Sequence, residues 1–160
     1  PRRLQIDFAR HVQRHTDATG DEATPEQLWD LFRNTYLATA DAAVGLVDYT
    51  TSEIDGRART TVTVRIDGDE RTTTHDGVGP VEALAAALTA HGLPVEVLGL
   101  HQTSIGAGAD SQALTLIEYR DGAATRWAAG QDRSVLTASL AALAAAASRV
   151  ARAYQPTAMR

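Results

Sequence analysis

The stretch Thr60-Thr61-Val62-Thr63-Val64-Arg65-Ile66-Asp67-Gly68 decides the fold. Thr60, Val62, Val64 and Ile66 occupy alternate positions, with Thr61, Thr63 and Arg65 between them. Side chains of an extended chain alternate between two faces, so this pattern predicts a strand with one apolar and one polar side. Asp67-Gly68 tolerates the positive φ angles of a two-residue hairpin turn. A return strand over about Glu70 to His75 follows, then Asp76-Gly-Val-Gly-Pro80 and a helix from Pro80 to His91, which Gly92 stops. Upstream, the change from helical to alternating spacing begins at Val44.

The same order returns downstream. Val95 to about His101 and Ala113 to Tyr119 read as strands, and Asp121-Gly122 marks another hairpin turn. Thr125 to Ala129 is the next strand, and a last helix runs from about Ser134 to Tyr154. Two successive strand-strand-strand-helix units therefore repeat at roughly fifty to sixty residues. Helices placed after runs of antiparallel strands imply an α+β domain, a sheet with helices on one face.

Before the first strand, Leu4, Phe8 and Val12 recur at helical spacing. Thr24-Pro25-Glu26-Gln27 is a second helix start, with Thr as N-cap, Pro at the first position and Gln completing a capping box. Leu28, Leu31, Phe32 and Tyr36 form its apolar face. The expected division is a two-helix subdomain over 1–42 and an α+β domain over 43–160.

Composition narrows the function classes. The net charge is −5 and acidic and basic residues are mixed, so no basic stripe suited to nucleic acid is present. There are no cysteines, which removes disulfides and thiolate chemistry and fits a reducing cytoplasm. The chain opens at Pro1 without a charged n-region and apolar h-region, so no secretory signal is expected. The longest apolar run, Ala138 to Ala147, is interrupted by Ser139 and is expected to be too short to span a bilayer.

Gly77-Val78-Gly79-Pro80 is the most informative short segment. Glycines let a ligand approach the backbone, and free N–H groups at a helix start attract an anion such as a carboxylate. An ordinary strand-to-helix turn with Pro in its usual place is the alternative. Gly99 to Asp110 is rich in small residues and reads as a loop between two strands, of the kind that carries binding function or merely connects. His11 and His15 are four apart, yet Val12-Gln13-Arg14 between them supplies no general-base Glu, so a solvated helix face is expected and no metal. No nucleophile elbow, Walker loop or dinucleotide fingerprint occurs, and no cofactor is expected.

Taken in order, these segments resemble a known family. Pro1 to Phe8 with Thr24 to Phe32 is similar to the short helical subdomain of 2-isopropylmalate synthases. Gly77-Val-Gly-Pro-Val-Glu-Ala-Leu84 resembles the helix start of their regulatory domain. Gly106 to Ala113, and Trp127 to Asp132 with Thr137 to Leu140, resemble its later segments. The resemblance implies a domain that pairs two chains and binds leucine near their interface. There it inhibits condensation of acetyl-CoA with 2-oxoisovalerate on a TIM barrel that carries the metal. The related citramalate synthases sense isoleucine with a similar domain, and the opening helices favour the isopropylmalate branch. The sequence holds no such barrel, so catalysis would lie elsewhere, in cis or in trans.

By that resemblance the effector pocket involves Gly77, Val78, Gly79, Pro80, Val81, Glu82, Val97, Leu100, Ser104, Ser111 and Gln131. Leu100 stands where the family has Tyr, Gly99 replaces an Asp, and Ser104 and Ser111 stand for alanines. Gln131 takes an apolar position. A polar group buried without a partner costs ~1–3 kcal/mol. Either these groups point away from the ligand, or the ligand is more polar than leucine. Two other readings stand beside this one. In one, an enzyme reuses the fold for a more polar substrate, with Glu82, His101, Asp110 and Gln131 as candidate acid-base or orienting groups. In the other, the domain is a structural dimer with an inactive pocket.

Overall fold

A computed structural model describes residues 1–154. Residues 155–160 of the expected 43–160 unit lie outside the described residues. The chain forms α1 (Arg2–Thr19), α2 (Pro25–Tyr36), β1 (Val44–Ile54), β2 (Arg57–Ile66), β3 (Asp69–Asp76) and α3 (Pro80–Ala90). It continues through β4 (Glu96–Ile105), a 3-10 turn (Gly108–Asp110), β5 (Gln112–Asp121), β6 (Ala124–Asp132) and α4 (Val135–Tyr154). The class is α+β, with two strand-strand-strand-helix units behind a helical pair. The strands divide into two antiparallel sheets, β1-β2-β3 and β4-β5-β6.

In the first sheet Thr60, Val62 and Val64 are buried, as their alternation predicts. Their polar neighbours stay outside and pair across strands: Thr61 with Thr74 at 3.0 Å, Thr63 with Thr72 at 2.9 Å, and Arg65 with Glu70 at 3.3 Å. Both Asp-Gly hairpins of this sheet use left-handed pairs, Asp55-Gly56 (φ 52° and 74°) and Asp67-Gly68 (φ 51° and 88°). In the second sheet both faces are covered, so nearly all of β5 is buried. Ile117, Tyr119 and Ala128 face α4. Leu114, Leu116, Trp127 and Ala129 face the helical pair, where Leu4, Phe8, Phe32 and Tyr36 meet them.

α4 is the hinge of this arrangement, because it packs on β5 and β6 of one sheet and on β1 and α3 of the other unit. Its length and apolar composition suffice to cross a membrane over Val135–Ala153, more than the run Ala138 to Ala147 suggested. However, 67% of that window is buried within the fold. Alanine dominates its contact faces, and small side chains permit close backbone approach. At Gly130 the approach is closest: a Cβ there would overlap the Ala138 carbonyl oxygen and the Ala142 nitrogen. Further along, Ser148 Oγ accepts from the Val44 amide at 3.0 Å and lies 2.9 Å from its carbonyl, tying β1 to α4.

The helical pair is locally encoded. Thr24 and Gln27 complete the predicted capping box of α2. Tyr36 donates from its hydroxyl to Asp7 at 2.6 Å, and His11 Nε2 lies 3.6 Å from the same carboxylate. Arg14 on α1 donates to His11 Nδ1 at 3.1 Å, and the Tyr36 ring on α2 packs edge-on against the imidazole. Burial holds the His11 pKa below its ordinary value, outweighing the opposing pull of Asp7. For Tyr36, burial and the Asp7 carboxylate both push the phenol pKa up.

Two outcomes follow from this packing. Gly130→Ala should destabilise the fold by about 3 kcal/mol or more, since the backbone of α4 cannot yield as a side chain does; denaturant unfolding measures it. His11 is harder to protonate folded than unfolded, so protonation favours the unfolded chain. Stability should therefore be full above the unfolded value of 6.5 and should fall as pH drops below it. Melting temperature against pH checks this, and His11→Gln should flatten that segment of the curve.

Candidate functional site

The Gly77-Val-Gly-Pro segment forms an open helix tip. Gly77 adopts φ 79° and its amide donates to the Ala58 carbonyl. Thr60 Oγ1 donates to the Val78 carbonyl at 3.0 Å, anchoring the turn to β2. Gly79 is the N-cap of α3 and no side chain caps that helix. The other unit handles the equivalent position differently: Ser134, just ahead of α4, accepts from the Thr137 amide at 3.2 Å. Pro80 has no N–H, so the uncapped donors of α3 are those of Val81 and Glu82. A Cβ at Gly79 would meet nothing within 4 Å, so the space a capping side chain would start from is open. Val78 and Val81 are half-buried, packed on the core of this unit, while Glu82 is exposed.

The segment Gly99 to Asp110 is only partly the loop expected. Gly99 to Ile105 belong to β4, paired antiparallel with β5, and the loop proper begins at Gly106. The polar side chains here are compatible with a strand because β4 is an edge strand, exposed on both faces along most of its length. A bulge in β4 leaves Leu98 unpaired between Val97 and Gly99. It brings Val97, opposite Tyr119, and Leu100, opposite Ile117, onto the α4 side of the sheet. Ser104, opposite Ala113, shares that side, and so does Gln102, which donates to Ser139 Oγ on α4 at 2.9 Å. Val97 and Leu100 remain 40% and 41% exposed. Ser111 closes the 3-10 turn, its amide donating to Gly108.

Gln131 parts company with this group. It stands opposite Leu114 and so projects to the sheet face covered by α1 and α2. There it donates to Gln112 at 2.6 Å. Both glutamines line a cavity of about 650 Å³ with Trp29, Arg33 and the turn after α2. The cross-strand partner that Gln131 finds explains how an amide occupies a position expected to be apolar.

The four candidate catalytic groups are not assembled. Glu82 is on α3, and His101 is on β4 with its ring 6.1 Å from Trp127. Asp110 is almost fully exposed and 4.0 Å from Arg133. Gln131 is spoken for by Gln112. No hydrogen bond or ion pair among the described residues joins any two of the four. Similarly, His11 is engaged by Asp7 and Arg14, and no cluster of three metal-ligating side chains is found among the described residues.

Sequence reasoning missed the bulges. β1 carries one at Val47, between Leu46 opposite Val64 and Asp48 opposite Thr63. β4 carries its own at the matching place, between positions opposite Tyr119 and Glu118. Each puts two large side chains, three apart, on the helix side. Leu46 and Tyr49 in β1 pack against the core, and Tyr49 Oη lies 2.9 Å from Thr137 Oγ1 on α4. Their counterparts Val97 and Leu100 stay partly exposed. A break in alternation inside a strand is the one signal available, and an irregular strand start looks the same.

Comparison with known proteins gives the family. The family model described as "LeuA allosteric (dimerisation) domain" matches residues 22–151. The chain is 41% identical to a 2-isopropylmalate synthase of Parafrankia sp. (strain EAN1pec), over 95% of this chain and 28% of that protein. It is 43% identical to the 2-isopropylmalate synthase of Nocardia farcinica, over 84% of this chain and 20% of that protein. That of Paraburkholderia phytofirmans is 36% identical over 93% of this chain and 26% of its own length. The chain thus spans between a fifth and three tenths of the curated relatives it matches. With the motifs in order along the fold, the chain belongs to the LeuA allosteric (dimerisation) domain family.

Proposed function

We propose that this chain is the sensing and pairing region of a cytoplasmic 2-isopropylmalate synthase of leucine biosynthesis, acting on a catalytic barrel carried in cis. It forms a homodimer and binds a small amino acid or related acid, leucine being the first candidate. The observation that carries this reading is the uncapped tip of α3. Glu82 keeps the N–H group whose counterpart in the second unit is taken by Ser134, and Val81 beside it is uncapped as well. Such donors, with the positive end of the helix dipole, suit a carboxylate.

The pairing surface follows from the broken symmetry of the two units. α4 covers the β1 pair Leu46 and Tyr49, but Val97 and Leu100 on β4 keep two-fifths of their surface exposed. Leu98 adds to this exposed apolar strip, as do Val135 and Leu136 at the start of α4. Exposed contiguous apolar surface on an edge strand invites a partner. A second copy laid on β4 would bury that strip. Ser104 shares the strip, which gives an effector side chain a mildly polar wall.

Calorimetry with leucine, isoleucine and valine tests the sensing role; no heat from any of the three removes it. Gly79→Ser should cap α3 as Ser134 caps α4, raising stability by a few tenths of a kcal/mol. The same change should weaken effector binding roughly tenfold or more by occupying its donors. Leu100→Glu should shift the sedimentation profile from dimer to monomer without loss of helical and strand signal. A Leu100→Glu protein that stays dimeric would rule out this face.

A further inference from the structure

The seam between the helical pair and the α+β domain is poorly filled. Cavities of about 650, 320 and 140 Å³ open along it. Unfilled volume deprives its lining of dispersion contacts. The apolar part of the seam is a small cluster, Leu4 and Tyr36 against Leu114, Leu116, Trp127 and Ala129. Among the described residues, three hydrogen bonds cross from one part to the other. One runs from Arg3, whose side chain is 79% exposed, to Glu118 at 3.1 Å. An ion pair so open to water fastens little. The other two come from Arg149 on α4, which donates to the carbonyls of Thr35 and Leu37, the latter at 3.1 Å.

Thr35 and Leu37 stand at the C-terminal end of α2, where carbonyls lack helical partners and the dipole is negative. A planar guanidinium fork meets two such carbonyls at once. The residue before Arg149 acts on the far side of the same connection: Ser148 Oγ holds the Val44 amide at 3.0 Å. Adjacent residues of α4 thus grip both ends of the stretch 38–43 that joins α2 to β1. Between the grips, Ala38 to Asp41 is exposed, and Arg152 reaches Asp41 only at 3.8 Å, with both side chains mostly exposed. We propose that the helical pair is an arm on a joint over 38–43, latched to the α+β domain by Arg149. Ser148 anchors the fixed side of the joint and Arg149 the moving side. The arm can lift as a unit, because the Phe8–Phe32 ring contact and the Tyr36–Asp7 hydrogen bond lie within it. Lifting bares Leu114, Leu116, Trp127 and Ala129, so the latch governs whether the second sheet offers an apolar face. It needs no effector and stands or falls apart from the reading of the α3 tip.

The test uses the full chain. Arg149→Met keeps the aliphatic stem and removes the donors. Elastase, which cuts after small residues, should then nick the chain between Ala38 and Ala42 about tenfold faster than in the parent. Amide exchange in α1 and α2 should quicken by a similar factor, while that of α4 stays at the parent rate. Arg152→Met loses only an exposed contact and should leave both rates unchanged. Arg149→Lys keeps the charge without the fork and should fall between parent and Arg149→Met. The latch is overturned by three results: parent rates in Arg149→Met, equally fast nicking in Arg152→Met, or exchange that quickens as much in α4 as in the helical pair. Should Arg149→Met not fold, amide exchange of the parent in low denaturant decides. Amides of α1 and α2 that open together ahead of α4 support the arm, and opening only with α4 overturns it.

Discussion

Everything in this molecule is organised around the close approach of α4 to the strands beneath it. A helix can sit that near a sheet only if the facing positions carry almost no side chain. The run Ala141 to Ala147, broken by Leu143, provides this on the helix, and Gly130 provides it on β6. Because α4 then lies deep, one helix serves both units. Ile117, Tyr119 and Ala128 meet it from the second sheet, and Val44 meets it from the first. The Ser148 hydroxyl satisfies the Val44 backbone at that junction, so the depth is reached without orphaning a buried amide.

Function accumulates where the two units stop being alike. Their strand order and bulges match, yet their helix caps and coverings do not. Gly79 leaves α3 open where Ser134 closes α4. The first sheet presents a solvated threonine face, while the second is covered by the helical pair. β1 is covered by α4, while β4 is bare. A perfect repeat would have had each donor and each apolar strip answered from within the chain. The mismatches leave an uncapped helix tip and an exposed apolar edge.

Much of the fold was legible because its signals are local. Alternation in Thr60 to Ile66, the Asp67-Gly68 turn, the Thr24 capping box and the Gly79-Pro80 helix start each depend on backbone preference within a few residues. The helical subdomain was recognisable for the same reason. The β4 boundary was not, since an edge strand need not alternate and small polar residues there look like a loop. Of the site, the α3 tip could be read from Gly-x-Gly-Pro alone. The face on which Gln131 lies could not, because that requires its register against Leu114.

The sequence by itself determined the α+β class, the repeated unit, the helical pair and the open helix start, since each follows from short-range periodicity and turn chemistry. Only the tertiary structure decided that the strands part into two sheets with α4 between units. It alone also decided that Val97 and Leu100 stay exposed and that Gln131 faces the helical pair. The physical reason is separation along the chain. Pairing register, burial and the meeting of distant polar groups are set by which surfaces pack together, and no local stretch of residues encodes that choice.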